Sequence, residues 1–122
     1  MSEAPVTRVP PADFTPGQPT PGMERFAAVV LDDVWSGLVR TEPGAVSGWH
    51  HHGTHDTVAY VVRGAFQVET AAGVADGEPG DFLHIPPHTV HRETNPSDET
   101  AEVVIVRRGT GPVVVEAEPP VS

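Results

Sequence analysis

Twelve glycines and fourteen prolines cut this 122-residue chain into short, valine-rich runs. Proline cannot donate a backbone hydrogen bond, and glycine loses the most entropy when it is held in a regular element, so such punctuation works against long helices. No window carries apolar residues at i, i+3, i+4 and i+7 between capping residues. Valine, branched at Cβ, instead fits the pleated surface of a strand. Candidate strands cover residues 23–31, 37–41, 57–63, 65–70, 81–85, 90–94, 101–108 and 113–117. Turn-forming groups separate them, among them Pro43-Gly44, Arg63-Gly64, Ala72-Gly73, Pro79-Gly80, Pro86-Pro87 and Asn95-Pro96. Strands at this close spacing without helices predict an all-β sandwich or small barrel.

The length suits one domain. Residues 1–22 hold six prolines and read as an extended arm, either laid along a neighbouring subunit or mobile. Residues 23–118 form the expected β-barrel, and residues 119–122 a fraying tail. Only four Phe, two Trp and one Tyr serve the core. A homodimer would relieve that shortage and cover valine-rich edge strands that otherwise invite aggregation. The net charge is −10, and all seven basic residues are arginine. A phosphate backbone repels such a surface, so neither nucleic acid nor an anionic membrane is an expected partner. The absence of cysteine excludes disulfides, thiolate catalysis and sulfur-ligated metal. No apolar run is long enough for a membrane span, and the N-terminus lacks the pattern of a secretory signal, so a cytoplasmic location is expected.

All seven histidines lie between positions 50 and 91. Neutral imidazole offers a lone pair without adding charge, which makes it the commonest protein ligand for borderline divalent metals. His50 and His52 are two residues apart, so on a strand they share a face while His51 points the other way. A two-toothed grip of this kind needs a third ligand from a different strand.

Residues 44–64, with Gly44, His50, His52 and Gly64, resemble the first motif of the cupin superfamily, G-x5-H-x-H-x3,4-E-x6-G. Residues 80–95, with Gly80, Pro86, His91 and Asn95, resemble the second, G-x5-P-x-G-x2-H-x3-N. Fifteen residues separate Gly64 from Gly80, the compact spacing of small single-domain members. The resemblance implies a double-stranded β-helix, an antiparallel jelly-roll barrel with a metal near its axis. It also implies that His50, His52 and His91 are three of four metal ligands. The cofactor so implied is one divalent transition metal ion, with Fe, Mn, Ni, Zn and Cu all compatible with nitrogen donors. Glycine at positions 64 and 80 suits sharp turns with positive φ, Pro86-Pro87 stiffens the loop leading to His91, and Asn95 can close a turn.

The chain departs from the pattern at two places. Thr57 stands where the family has its glutamate ligand, and a neutral hydroxyl is a poor substitute. Asp56 is adjacent, but a shift of one residue on a strand turns a side chain to the other face. The vacated position falls to water or substrate, to His55 as a fourth nitrogen, or to nothing if the pocket works without metal. His88 replaces the second motif's glycine and either borders the pocket or is a solvated loop residue. Thr57, His55 and His88 are thus the candidate substrate-pocket residues. Glu93 shares strand parity with His91 and is the candidate general base, or else an outer partner that fixes a histidine tautomer. His51 and His84 are expected to point outward, and Arg63 and Arg92 to lie at the surface. Two functional classes stay open: a dioxygenase-like oxidoreductase acting on a small polar organic substrate, and a non-catalytic module that binds or senses a small metabolite.

Overall fold

The computed structural model describes residues 4–120, and the outermost residues of the arm and tail, 1–3 and 121–122, lie outside the described residues. Eleven strands follow in chain order: β1 (Thr15–Pro16), β2 (Met23–Val30), β3 (Val34–Thr41), β4 (His50–His51), β5 (Asp56–Arg63), β6 (Phe66–Thr70), β7 (Gly73–Gly77), β8 (Phe82–Ile85), β9 (His91–Thr94), β10 (Ala101–Arg108) and β11 (Val115–Glu116). They form a six-stranded sheet, β1-β2-β3-β10-β5-β8, and a five-stranded sheet, β11-β4-β9-β6-β7, with antiparallel pairings throughout. This is the jelly-roll arrangement. The expected strands are present with small shifts at their ends. The larger differences are that β3 begins at Val34, that residues 73–77 add a hairpin partner to β6, and that the two-residue strands β1 and β4 are additional. The sequence of β7, Gly-Val-Ala-Asp-Gly, reads as turn material and is extended by its pairing with β6 rather than by its own propensity.

Alternation decides which face of each strand is buried. Along β10, Ala101, Val103 and Ile105 are buried, while Glu102 and Val104 are half-buried and Val106 is exposed. Along β5 the inward positions are Thr57, Ala59 and Val61. Of these, Val103, Ile105, Ala59 and Val61 meet Val39 and Ile85 of their own sheet and Phe66 and Val68 of the opposite one, forming a single core against which Trp35 and Leu83 pack. Each large side chain fully withdrawn from water here stabilises the fold by roughly 1.5–3 kcal/mol.

Gly64 turns with φ 76°, and a Cβ there would stand 2.7 Å from the Cα of Ala101, so both conformation and space demand glycine. Asn95 is buried. Its Nδ2 donates to the carbonyls of Thr41 (2.9 Å) and Glu99 (2.8 Å), and its Oδ1 accepts from the amide and hydroxyl of Ser97. It therefore closes the turn after β9 and ties that turn to the end of β3.

The proline-rich segment does not stand off from the barrel. A single 3-10 turn covers Pro11–Asp13, Thr15 and Pro16 pair with Ala27 and Phe26, and the Gly17 amide donates to the Arg25 carbonyl at 2.8 Å. The segment thus lies along β2 of its own chain, where an edge position tolerates proline. Among the described residues no helix is long and apolar enough to cross a membrane.

Candidate metal centre

Backbone pairing brings the histidines together. The Gly44 amide donates to the Asn95 carbonyl and the Ser47 amide to the Glu93 carbonyl, both at 2.8 Å, so the chain entering β4 runs beside β9. The Ser47 hydroxyl accepts from the Glu93 amide at the same distance. This register sets His50 directly opposite His91. Ring centroids are 4.4 Å apart for His50 and His91, 4.9 Å for His50 and His52, and 5.1 Å for His52 and His91.

Each of the three rings is tethered through Nδ1 to a backbone carbonyl: His50 to Gly48 (2.8 Å), His52 to Val113 (2.6 Å) and His91 to Thr89 (2.8 Å). A carbonyl can only accept, so Nδ1 carries the proton and the lone pair resides on Nε2. Such tethers are the usual outer support of a metal-binding histidine. The His52 Nε2 is buried without any partner. Glu93 then places a carboxylate among these nitrogens, its Oε1 3.3 Å from His91 Nε2 and 3.9 Å from His50 Nε2. Donor atoms of His50, His52, His91 and Glu93 all lie within 4.8 Å of one another. Lone pairs and a carboxylate converging in this way repel unless a positive charge sits between them. The residues therefore fit a metal ion, and the group could hold one.

The electrostatics favour the donor form of His50, His52 and Glu93. Burial pulls the pKa of His50 down from 6.5, with Glu93 opposing. Burial followed by the nearby Arg107 charge pulls His52 down much further. For Glu93, burial works to raise the pKa, but the surrounding His91, His50 and Arg107 outweigh it and leave the carboxyl well below its usual range. At neutral pH, His50 and His52 are neutral donors and Glu93 is an anion.

The remaining expected site residues fall elsewhere. Thr57 is buried in β5 with its hydroxyl unpartnered. Asp56, one residue earlier, points outward, where it binds His84 at 2.8 Å and Arg108 at 3.3 Å. His55 is buried and is no fourth nitrogen. Its amide and Nδ1 both donate to the His52 carbonyl, at 3.0 and 2.9 Å, so it closes the turn that follows a ligand. His88 holds a left-handed φ of 57°, donates its amide to the Gly53 carbonyl at 2.8 Å, and sets its exposed ring 5.9 Å from that of His51. Arg92 lies over the Trp49 ring and binds Glu69 at 2.7 Å, and Arg63 pairs with Glu99 and Glu102. A carboxylate, absent at position 57, thus stands beside the three imidazoles as Glu93 of β9, a residue expected as a base or an outer partner rather than among the possible ligand atoms.

A cleft of about 370 Å³ opens onto the cluster. His50, His52 and Glu93 line it together with Arg25, Arg107 and Glu116, and the proline-rich segment adds Thr20 and Pro21. Thr57, His55 and His88 are not among its lining residues. Arg107 was not anticipated. Its signal was strand parity, since it is the next inward position after Ala101, Val103 and Ile105. A larger groove of about 570 Å³ lies between β7 and β8, and it contains none of the clustered residues.

Residues 37–116 match the family model described as a cupin domain. No curated protein sequence matches the chain. Among solved structures, KdgF from Halomonas sp. is 25% identical with a TM-score of 0.73, covering 87% of this chain and 96% of that one. A sugar phosphate isomerase of the cupin superfamily from Silicibacter pomeroyi is 29% identical with a TM-score of 0.65, over 74% of this chain and 61% of that one. An RmlC-like cupin from Shewanella frigidimarina, 21% identical with a TM-score of 0.70 over 82% of this chain and 87% of that one, shares the fold.

Proposed function

The chain belongs to the cupin domain family, and from that premise we propose that it is a mononuclear metal enzyme acting on a small polar organic substrate, with a dioxygenase-like oxidoreductase as the leading reaction class. The observation that carries this reading is the convergence of three carbonyl-tethered imidazoles and one carboxylate on a point bordered by an open cleft. His50, His52, His91 and Glu93 would hold the ion. A bound iron or copper ion would supply oxygen chemistry, whereas zinc would activate water or polarise a carbonyl. The chain's own residues prepare the site. Gly48, Val113 and Thr89 fix each ring's tautomer and orientation, Glu93 lowers the net charge of the ligand set, and the cleft limits substrate size.

Anaerobic reconstitution with Fe(II), followed by electron paramagnetic resonance with nitric oxide as an oxygen mimic, tests the reading. One iron per chain and an Fe–NO signal that disappears in His91→Ala are expected. Absence of the signal in the wild type, or its persistence in His91→Ala, overturns the oxygen-chemistry reading.

The alternative, a module that captures a small metabolite without chemistry, is favoured by one observation: the cleft holds a buried arginine, Arg107, whose Nε has no partner. It predicts ligand-dependent thermal stabilisation that survives chelation and survives His50→Ala.

A further inference from the structure

Arg107 is an anomaly in this molecule. It is 8% exposed, yet its Nε has no hydrogen-bond partner, and among the described residues it forms no salt bridge with any carboxylate. Arginine is almost never buried without a paired anion, because the cost of removing its charge from water must be offset by an ion pair or by hydrogen bonds. The Trp35 ring, 5.3 Å from the guanidinium carbon, supplies only a partial substitute. Glu93 attracts the guanidinium electrostatically but is turned toward His91 and His50. A second arginine, Arg25, lines the same cleft, so a chain of net charge −10 concentrates two of its seven cations there. Glu116 at the rim comes from an exposed position and forms no ion pair with either.

We propose that Arg107 is the carboxylate-binding residue of the cleft and that the molecule bound there is a small organic acid, one carboxylate pairing with the guanidinium while another oxygen faces the donor cluster of His50, His52, His91 and Glu93. The second contact rests on the metal-centre reading; the first does not. A carboxylate suits the site better than a phosphate does. The guanidinium edge is a planar two-pronged donor that matches a carboxylate. Phosphate sites commonly add a helix N-terminus, and this cleft has none. The volume of about 370 Å³ limits the ligand to a small metabolite.

Titration calorimetry with malonate, its neutral counterpart malonamide and inorganic phosphate tests this on dialysed metal-free protein and on Zn(II)-loaded protein. The wild type should bind malonate in both forms, and more tightly with zinc. Arg107→Gln should weaken malonate binding at least about tenfold in both forms while still taking up one zinc per chain. Arg107→Lys, which keeps the charge but not the fork, should fall between the two. In the ligand-free protein, Arg107→Met should leave the melting temperature unchanged or raise it, because it removes an uncompensated buried charge. An arginine with a purely structural role would give the opposite result. The proposal is overturned if malonate binds Arg107→Gln as tightly as wild type, if malonamide or phosphate binds the wild type as tightly as malonate does, if the wild type binds no malonate in either form, or if every Arg107 variant fails to fold. Loss of zinc binding in the wild type would sink the metal centre instead, leaving the metal-free titration to decide the role of Arg107.

Discussion

The two hollows of this barrel differ in a way that their sizes conceal. The larger, about 570 Å³, lies between the edge strands β7 and β8 and is walled by Val68, Val74, Ala75, Phe82, Leu83 and Pro86. The smaller, about 370 Å³, carries His50, His52, Glu93 and Arg107. An apolar groove at an open seam can offer area but little direction. Converging polar groups that are buried and unpaired carry an unfavourable energy that only a ligand of the right charge removes. The chemistry is expected in the smaller hollow, and volume is a poor guide to it.

The strongest way to break this contrast is to neutralise the carboxylate on which the cluster turns. Glu93→Gln keeps the side chain's shape and removes its charge. Because Glu93 would be a direct ligand, metal affinity should fall by more than the roughly 10–100-fold typical of losing an outer partner. Metal titration monitored by calorimetry gives the value. A change below about threefold would return Glu93 to the outer role that strand parity alone suggested.

Acid should separate the two hollows as well. His50 and His52 have folded pKa values below their ordinary 6.5, so as pH falls through that value the unfolded chain takes up protons that the folded chain refuses. Their neutral burial therefore contributes nothing adverse above about 6.5 and destabilises the fold progressively below it. Glu93, with its pKa depressed, adds a loss of the same sign at lower pH, below about 4.5. The urea midpoint of metal-free protein should drop between pH 7.5 and pH 5, and that of metal-loaded protein should drop further, because protons then displace the ion from its ligands. A flat profile would mean that the imidazoles are protonated equally in both states and that the cluster is more hydrated than its burial implies.

How much of this was legible beforehand follows from what kind of rule each feature obeys. Strand parity alone placed His50 with His52 and His91 with Glu93, because a side chain's face depends on the pleat and on nothing remote. Gly64 was legible for a similar reason: a tight turn leaves a local signature. The partner of His50 across the sheet, by contrast, depends on the register between β4 and β9, which is fixed by Gly44, Ser47 and Asn95 acting together. The substitution of Glu93 for the carboxylate missing at Thr57 needed that register. Arg107 obeyed the parity rule in full, yet it was overlooked, since a charged residue near a strand end invites assignment to solvent. His55 was misjudged for the converse reason. Its burial comes from closing a turn onto His52, a local hydrogen-bonding role with no periodic signature.

The gentlest test addresses the apolar groove. Phe82 is 71% exposed, and its ring rests 4.7 Å from that of Tyr60 on the outer side of β5 and β8. Replacing it with serine removes one aromatic contact and little buried area, so stability should change by about 1 kcal/mol or less. Because Phe82 lies on β8, at the far edge of the six-stranded sheet from β2, and the cluster sits on β4 and β9 of the other sheet, metal affinity should stay within about twofold of wild type. Malonate affinity should be equally indifferent. A substantial loss of either in Phe82→Ser would mean that the groove and the cleft are coupled through the core layer of Val61, Val68 and Ile85, and the division between a directional hollow and a passive one would have to be abandoned.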